Sequence, residues 1–330
     1  MNYQSAGVDI DAADEAVKRI RTSVESTYSE RNLSAIGGFG GLFDAKGLGV
    51  DPVLVSTTDG VGTKAEVARL GHHYGGLSRD LVAMCIDDLI CTGAKPLFFL
   101  DYLAVGKTNP DLIEEIVSGI SDTLRTVDAS LVGGEIAEHP GIMEPDAIDL
   151  AGFAVGVVEH DKILGAQRVQ ENDLLVGLPS PNLRANGFSL VRAIYKDRFE
   201  RILAHRNSLS RDDAKWYQTI LEPSVLYAPT VLKVIACGAV HAIAHITGGG
   251  LRANLSRVIP DGLSPTIIEA SWPVPSIFDQ IARDGGVSCQ EMEKTFNMGL
   301  GMVLVISPEA LTTVESFFEQ SFVIGRVVTA

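Results

Sequence analysis

Asp59-Gly60-Val61-Gly62-Thr63-Lys64 sets a carboxylate and an ammonium on either side of two glycines, directly after Val53-Leu54-Val55-Ser56-Thr57-Thr58. That preceding β-branched run predicts a strand. Glycines let backbone amides approach a ligand closely, so the segment suits a phosphate bridged by a divalent cation. The same letters satisfy G-x-G-x-x-A from Gly60 to Ala65, with Asp80 further along, as a dinucleotide turn would. Asp59 would repel a bare pyrophosphate unless a cation lay between them, which favours the metal-bridged reading. A plain glycine turn with solvated Asp59 and Lys64 is the remaining one. Gly248-Gly249-Gly250-Leu251-Arg252-Ala253 repeats the pattern after a strand-like run ending at Ile246-Thr247, and opens another helix. Two such turns weaken a dinucleotide reading of either. Gly106-Lys107-Thr108 imitates the end of a Walker A loop, but Asp101 stands where its first glycine belongs.

The carboxylates carry more. Asp101 lies inside Leu97-Phe98-Phe99-Leu100-Asp101-Tyr102-Leu103, where an unpaired ion would cost several kcal/mol, so it needs a partner or a metal. Asp87 and Asp88 interrupt an apolar helical run, and Gly133-Gly134-Glu135 sets an acid straight after a strand. With Asp59, these acids gather near strand ends and suit one or two Mg²⁺ ions, each taking one or two carboxylates plus substrate phosphates. Singly, each is equally an ordinary cap or surface acid. The seven histidines show no Ser/His/Asp, Cys/His or H-E-x-x-H order. His241 and His245 therefore read as core or site-lining residues rather than zinc ligands. Asn186-Gly187-Phe188 and Phe296-Asn297-Met298-Gly299 place amides beside glycines, suited to a polar ligand or simply to turns.

Positioning these groups falls to alternating elements. Periodicity predicts a helix over 9–25, glycine loop over 37–41, strand over 53–58, helix over 81–90, strand over 96–105 and helix over 110–124. Strands over 130–132 and 150–158 follow. A polar stretch at 159–173 separates this half from a second series: a strand at 174–178, helices near 188–202 and 224–237, a strand over 239–246, a helix from Leu251, and a last strand over 302–306. The expected units are residues 1–165 and 166–330.

With 330 residues, 46% of them hydrophobic, the chain has material for about two domains. Its formal charge of −15 repels nucleic acid and anionic lipid heads, so an anionic ligand must be held by local groups or a bridging cation. The acidic N-terminus and the lack of a long apolar run predict a cytoplasmic chain without a membrane anchor. The four cysteines, without C-x-x-C spacing, read as buried reduced thiols.

Taken in order, the motifs resemble the phosphoribosylformylglycinamidine cyclo-ligase family, also called aminoimidazole ribonucleotide synthetase. The similarity rests on Ala6-Gly7-Val8-Asp9, Gly37-Gly38-Phe39-Gly40, Asp59 to Lys64, Asp80 to Cys85, and Pro96 to Tyr102. It continues through Leu131 to Glu135, Asp149 to Phe153, Asn186 to Leu190, His245 to Gly250, and Thr295 to Gly299. The resemblance implies an α+β, two-domain ATP-binding synthetase fold. N-terminal strands would form a barrel across a homodimer, and a C-terminal mixed sheet would carry helices. It implies ATP and Mg²⁺, a small ribonucleotide substrate, and ring closure to aminoimidazole ribonucleotide in purine synthesis, with release of ADP and phosphate. By carry-over Asp59, Asp88 and Glu135 are the metal ligands expected and Lys64 a charge partner of the phosphates; the residues themselves add Asp87 to the expected metal ligands, and Lys64, Asp101 and Arg184 are the catalytic residues expected. Gly37, Gly38, Phe39 and Gly40 would cover the nucleotide. Asp59, Gly60, Gly62, Thr63, Lys64, Gly133, Gly134, Asn186, Thr247, Gly248, Gly249, Gly250 and Asn297 would hold nucleotide or substrate. The sequence departs from the family pattern at Asp87, where Asn is usual, and at Ile136, Arg184, Ala185 and Val225, where Thr, His, Ser and Arg are usual. Arg184 is expected on an anionic group of the substrate, since a guanidinium matches phosphate bidentately. The same acids also serve superfamily members with other acceptors, such as selenophosphate synthetase, thiamine-monophosphate kinase and a hydrogenase maturation protein. A nucleotide-binding dimer without turnover is the alternative outside enzymes.

Overall fold

A computed structural model describes residues 10–35 and 41–330. Gly37, Gly38, Phe39 and Gly40, expected to cover the nucleotide, lie outside the described residues. The first half runs α1 (Ile10–Glu25), β1 (Pro52–Gly60), α2 (Thr63–Leu70), α3 (Leu77–Ile90), β2 (Lys95–Val105), α4 (Pro110–Arg125), β3 (Ser130–Glu138) and β4 (Ile148–Glu159). Its four strands form one sheet in the order β1-β4-β2-β3. β4 runs antiparallel to β1 and β2, while β2 and β3 are parallel, a pairing that the crossover through α4 permits. α4 starts where Pro110 fills its first turn and Asn109 accepts from Asp111 N–H. Its buried stripe of Ile113, Ile116, Val117, Ile120 and Leu124 keeps helical spacing.

The second half runs β5 (Leu174–Pro179), α5 (Phe188–Ile194), α6 (Lys196–Ala204), α7 (Arg211–Ile220), α8 (Ala228–Ala236), β6 (Val240–His245), α9 (Gly250–Ser256), β7 (Leu263–Ile267), α10 (Ser276–Gly285), α11 (Cys289–Thr295), β8 (Leu300–Ile306), α12 (Leu311–Glu315) and β9 (Phe322–Thr329). The single helix expected over 188–202 divides at Tyr195, whose φ of −104° and ψ of 27° are not helical. The sheet order is β6-β8-β5-β9-β7. Every pairing in it is antiparallel, so the mixing of directions expected there resides in the first sheet. β8 is buried on both faces. Leu304 and Ile306 join a core continuous with the first half, and Val303 and Val305 join a second core under α9. The molecule thus has a two-domain α+β fold whose larger core runs through both sheets. Among the described residues no helix is long and apolar enough to cross a membrane. All four cysteines are unbridged; Cys85 is buried, but Cys237 and Cys289 are exposed because they sit at helix ends on the surface.

Candidate functional site

The pleat sorts the acids. Asp59 on β1 stands opposite Gly152 on β4, Gly152 opposite Asp101 on β2, and Asp101 opposite Gly134 on β3. Cross-strand partners share a face, so this row presents both aspartates to the helix-covered side of the sheet, their backbones roughly 10 Å apart. The glycines are required by space. A Cβ at Gly152 would come 2.3 Å from the Phe99 ring, and one at Gly134 would come 1.7 Å from Asp101 Oδ1.

α3 lies over this face. Cys85 Sγ contacts the Asp59 carbonyl at 3.8 Å, and one turn further Asp88 is close enough for its charge to act on Asp59. Burial pushes the Asp59 carboxyl above the usual carboxylate range; the Gly60 N–H, 2.7 Å from Oδ1, opposes this, and Asp88 adds to it. Asp88 receives His245 Nδ1 at 2.7 Å on Oδ1 and keeps 42% of its side chain exposed. Among the described residues neither carboxylate has a direct lysine or arginine partner, and together they form a hard oxygen donor pair that fits Mg²⁺ completed by phosphate and water. The described residues hold no cluster of three or more metal-ligating side chains. Glu135 stands opposite Tyr102, one residue beyond the row, so the pleat assigns it to the other face of the sheet.

Asp101 lines a cavity of about 340 Å³ together with Gly41, Gly133, Gly134, Glu135 and residues of α1. Burial pushes its carboxyl up to about 7; its own backbone N–H opposes this, and among the described residues no charged partner does.

Four expected site residues are engaged elsewhere. Asp87 is fully buried and accepts from Tyr227 N–H at 3.0 Å, Ala228 N–H at 3.1 Å and Arg184 Nη2 at 3.1 Å, so it is no metal ligand. Arg184, also fully buried, is spent on Asp87, the Val225 carbonyl and His245 rather than on an open groove. Lys64 pairs with Asp80 at 2.7 Å and donates to the carbonyls of Arg184 and Glu222, beside the Phe188 ring. Burial lowers its ammonium pKa and Asp80 opposes that. Asn297 closes its own turn, donating to the Asn182 carbonyl and accepting from Gly299 N–H. Thr63 Oγ1 meets Ser189 Oγ at 2.8 Å, which joins the first glycine turn to the Asn186 loop. In the second glycine turn Gly249 and Gly250 take φ of 96° and 71°, and Thr247 and Gly248 stay accessible. The residue that composition alone understated is Asp80. It lies two helical turns before Asp87 on the same face of α3, and that seven-residue spacing was the available signal.

The chain matches the family described as AIR synthase related protein, N-terminal domain, over residues 44–158, and its C-terminal domain over 170–330. A phosphoribosylformylglycinamidine cyclo-ligase of Bifidobacterium animalis is 44% identical over 99% of this chain and 96% of its own length. One of Bacillus pumilus is 45% identical over 98% and 95%. The chain belongs to the phosphoribosylformylglycinamidine cyclo-ligase family. Solved structures share the cyclo-ligase fold at lower identity. Thiamine-monophosphate kinase from Stenotrophomonas maltophilia superposes with a TM-score of 0.62 at 17% identity, over 96% of this chain and 94% of that one. The hydrogenase maturation protein HypE in complex with ATP gives 0.67 at 15%, over 99% and 89%.

Proposed function

We propose that this protein closes the imidazole ring of aminoimidazole ribonucleotide from formylglycinamidine ribonucleotide, consuming ATP and releasing ADP and phosphate. The full-length cyclo-ligase relatives support the reaction. The observation that carries its placement is the convergence of Asp59 and Asp88 above a sheet row that ends in Asp101 and Gly134. Asp59 and Asp88 would hold Mg²⁺, which would offset the negative charge of the ATP phosphates. The formyl oxygen takes the terminal phosphoryl group and ADP departs. The amidine nitrogen then attacks the formyl carbon, phosphate leaves, and the ring nitrogen gives up its proton. Asp101, with its carboxyl titrating near neutrality, supplies a hydrogen-bond donor or acceptor inside the cavity. Gly133 and Gly134 let a ligand approach the sheet edge, and Gly60, Gly62, Thr63, Asn186 and Thr247 to Gly250 are the further nucleotide- or substrate-binding residues of this reading, with Thr63 and Ser189 joining the first glycine turn to the Asn186 loop. The protein's part is chiefly positioning and charge neutralisation.

Residues 1–165 form the nucleotide and dimerisation unit in this reading, and residues 166–330 the second wall of the cleft. Leu54, Phe153 and Tyr102 are 64%, 41% and 42% exposed. The strand register puts all three on the sheet face turned away from α3. Burying that apolar face against a second copy gives the homodimer with a barrel across it. The cytoplasm, where ATP and ribonucleotides are at hand, is the expected site of action. ADP release that depends on formylglycinamidine ribonucleotide tests the reaction; turnover of ATP on a different acceptor, or binding without turnover, would refute it.

A further inference from the structure

Arg184 combines three unusual properties. It is 0% exposed, its backbone takes a left-handed φ of 60°, and it lies against the Tyr227 ring at 5.0 Å. Nη1 donates to the Val225 carbonyl at 2.8 Å, while Nη2 lies 3.1 Å from Asp87 Oδ2 and 2.8 Å from His245 Nε2. Charge balance needs only Asp87, so the histidine contact calls for its own explanation. A guanidinium has donors and no acceptor, so His245 Nε2 must accept, and the imidazole proton must sit on Nδ1. Nδ1 is the atom 2.7 Å from Asp88 Oδ1. Hydrogen bonds therefore run in one direction, from Arg184 through His245 to Asp88.

We propose that Arg184 is a positioning residue. It locks His245 in the Nδ1–H tautomer, and the imidazole then donates to Asp88 Oδ1 and orients that carboxylate toward Asp59. The inference rests on the reading of Asp59 and Asp88 as the cation-holding pair. With the proton on Nε2, the Nδ1 lone pair would face the carboxylate, and Asp88 would turn away toward the solvent it already touches. A group hydrogen-bonded directly to a metal ligand, as His245 is to Asp88, commonly governs metal affinity by about 10- to 100-fold, and Arg184 acts through it. Asp87 holds Arg184 in place from below, and the Tyr227 and Ala228 amides hold Asp87.

The first test needs no variant. Nitrogen NMR of the full-length protein with labelled histidine should show His245 with a protonated Nδ1 and a bare Nε2. A proton on Nε2, alone or with Nδ1, would overturn the proposal. The second test replaces the buried pair together, Asp87→Asn with Arg184→Met, so that no charge is stranded. Mn²⁺ binding in the presence of a non-hydrolysable ATP analogue, read by electron paramagnetic resonance, should weaken by about tenfold. In a His245→Asn background, whose amide can donate to Asp88 unaided, the same pair of changes should have no further effect. Unchanged Mn²⁺ affinity with His245 present would refute the role of Arg184. Wild-type protein that binds no Mn²⁺ with the analogue would refute the cation-pair reading itself, and this inference with it. Normal Mn²⁺ binding with the wrong tautomer would refute the positioning role alone.

Discussion

Asp101 carries its carboxyl at about 7 in the folded chain, against about 3.9 for an unfolded aspartate. Between those values the native state keeps a proton that the unfolded state has released. Stability therefore falls as pH rises through the window and levels off above 7. Asp101→Asn should match the wild type near pH 4 and exceed it above pH 7, by up to about 4 kcal/mol in ligand-free protein. Thermal unfolding across pH 4 to 8 reads this, and parallel profiles for the two proteins would contradict it. Asp88 lies at the opposite extreme, half in solvent and held by one imidazole. Asp88→Asn should weaken magnesium-dependent ATP binding by roughly tenfold or more while leaving the melting temperature nearly unchanged. Titration calorimetry with and without EDTA checks it; indifference to both the substitution and the chelator would remove the metal from these acids.

At the scale of elements, α3 is the organiser. Its acids at 80 and 87 face the second half of the chain, and the next residue, Asp88, faces the sheet. Asp80 Oδ1 accepts from the Ser224 amide and hydroxyl while its other oxygen pairs with Lys64, so α2, α3 and the 222–228 segment meet in one buried polar seam. Removing only the cation strands Asp80. Lys64→Met should cost about 3–5 kcal/mol in urea unfolding. Adding Asp80→Asn, which keeps an acceptor for Ser224, should recover a large part of the loss. Failure of the second change to restore stability would show that Lys64 acts mainly through its bonds to the Arg184 and Glu222 carbonyls.

At the scale of the whole molecule, the two faces of the first sheet have different tasks. The covered face carries Asp59 and Asp101, and the open face carries Leu54, Phe153 and Tyr102. An apolar strand face left in water favours self-association. Leu54→Asp should convert the expected dimer to monomers on size-exclusion chromatography with light scattering, with the far-ultraviolet spectrum unchanged. A wild-type protein already monomeric at micromolar concentration would refute the dimer.

The strands at β1, β2 and β4 and the helices α1, α3 and α4 were legible from the sequence because local periodicity and caps decide them. The glycine turn after β1 and the motif order were legible because each is contiguous. Residues far apart in sequence were not. Lys64, Asp87 and Arg184 look in sequence like phosphate and metal groups, and their chemistry is the right kind. Their partners lie 16, 97 and 97 positions away, and only tertiary packing could direct these charges into a buried seam instead of the cleft. Glu135 shows the same limit on a smaller scale. Its type and its place after a strand are plain in the sequence, but the sheet register decides which face it serves, and a shift of one residue in a pleated strand reverses that face.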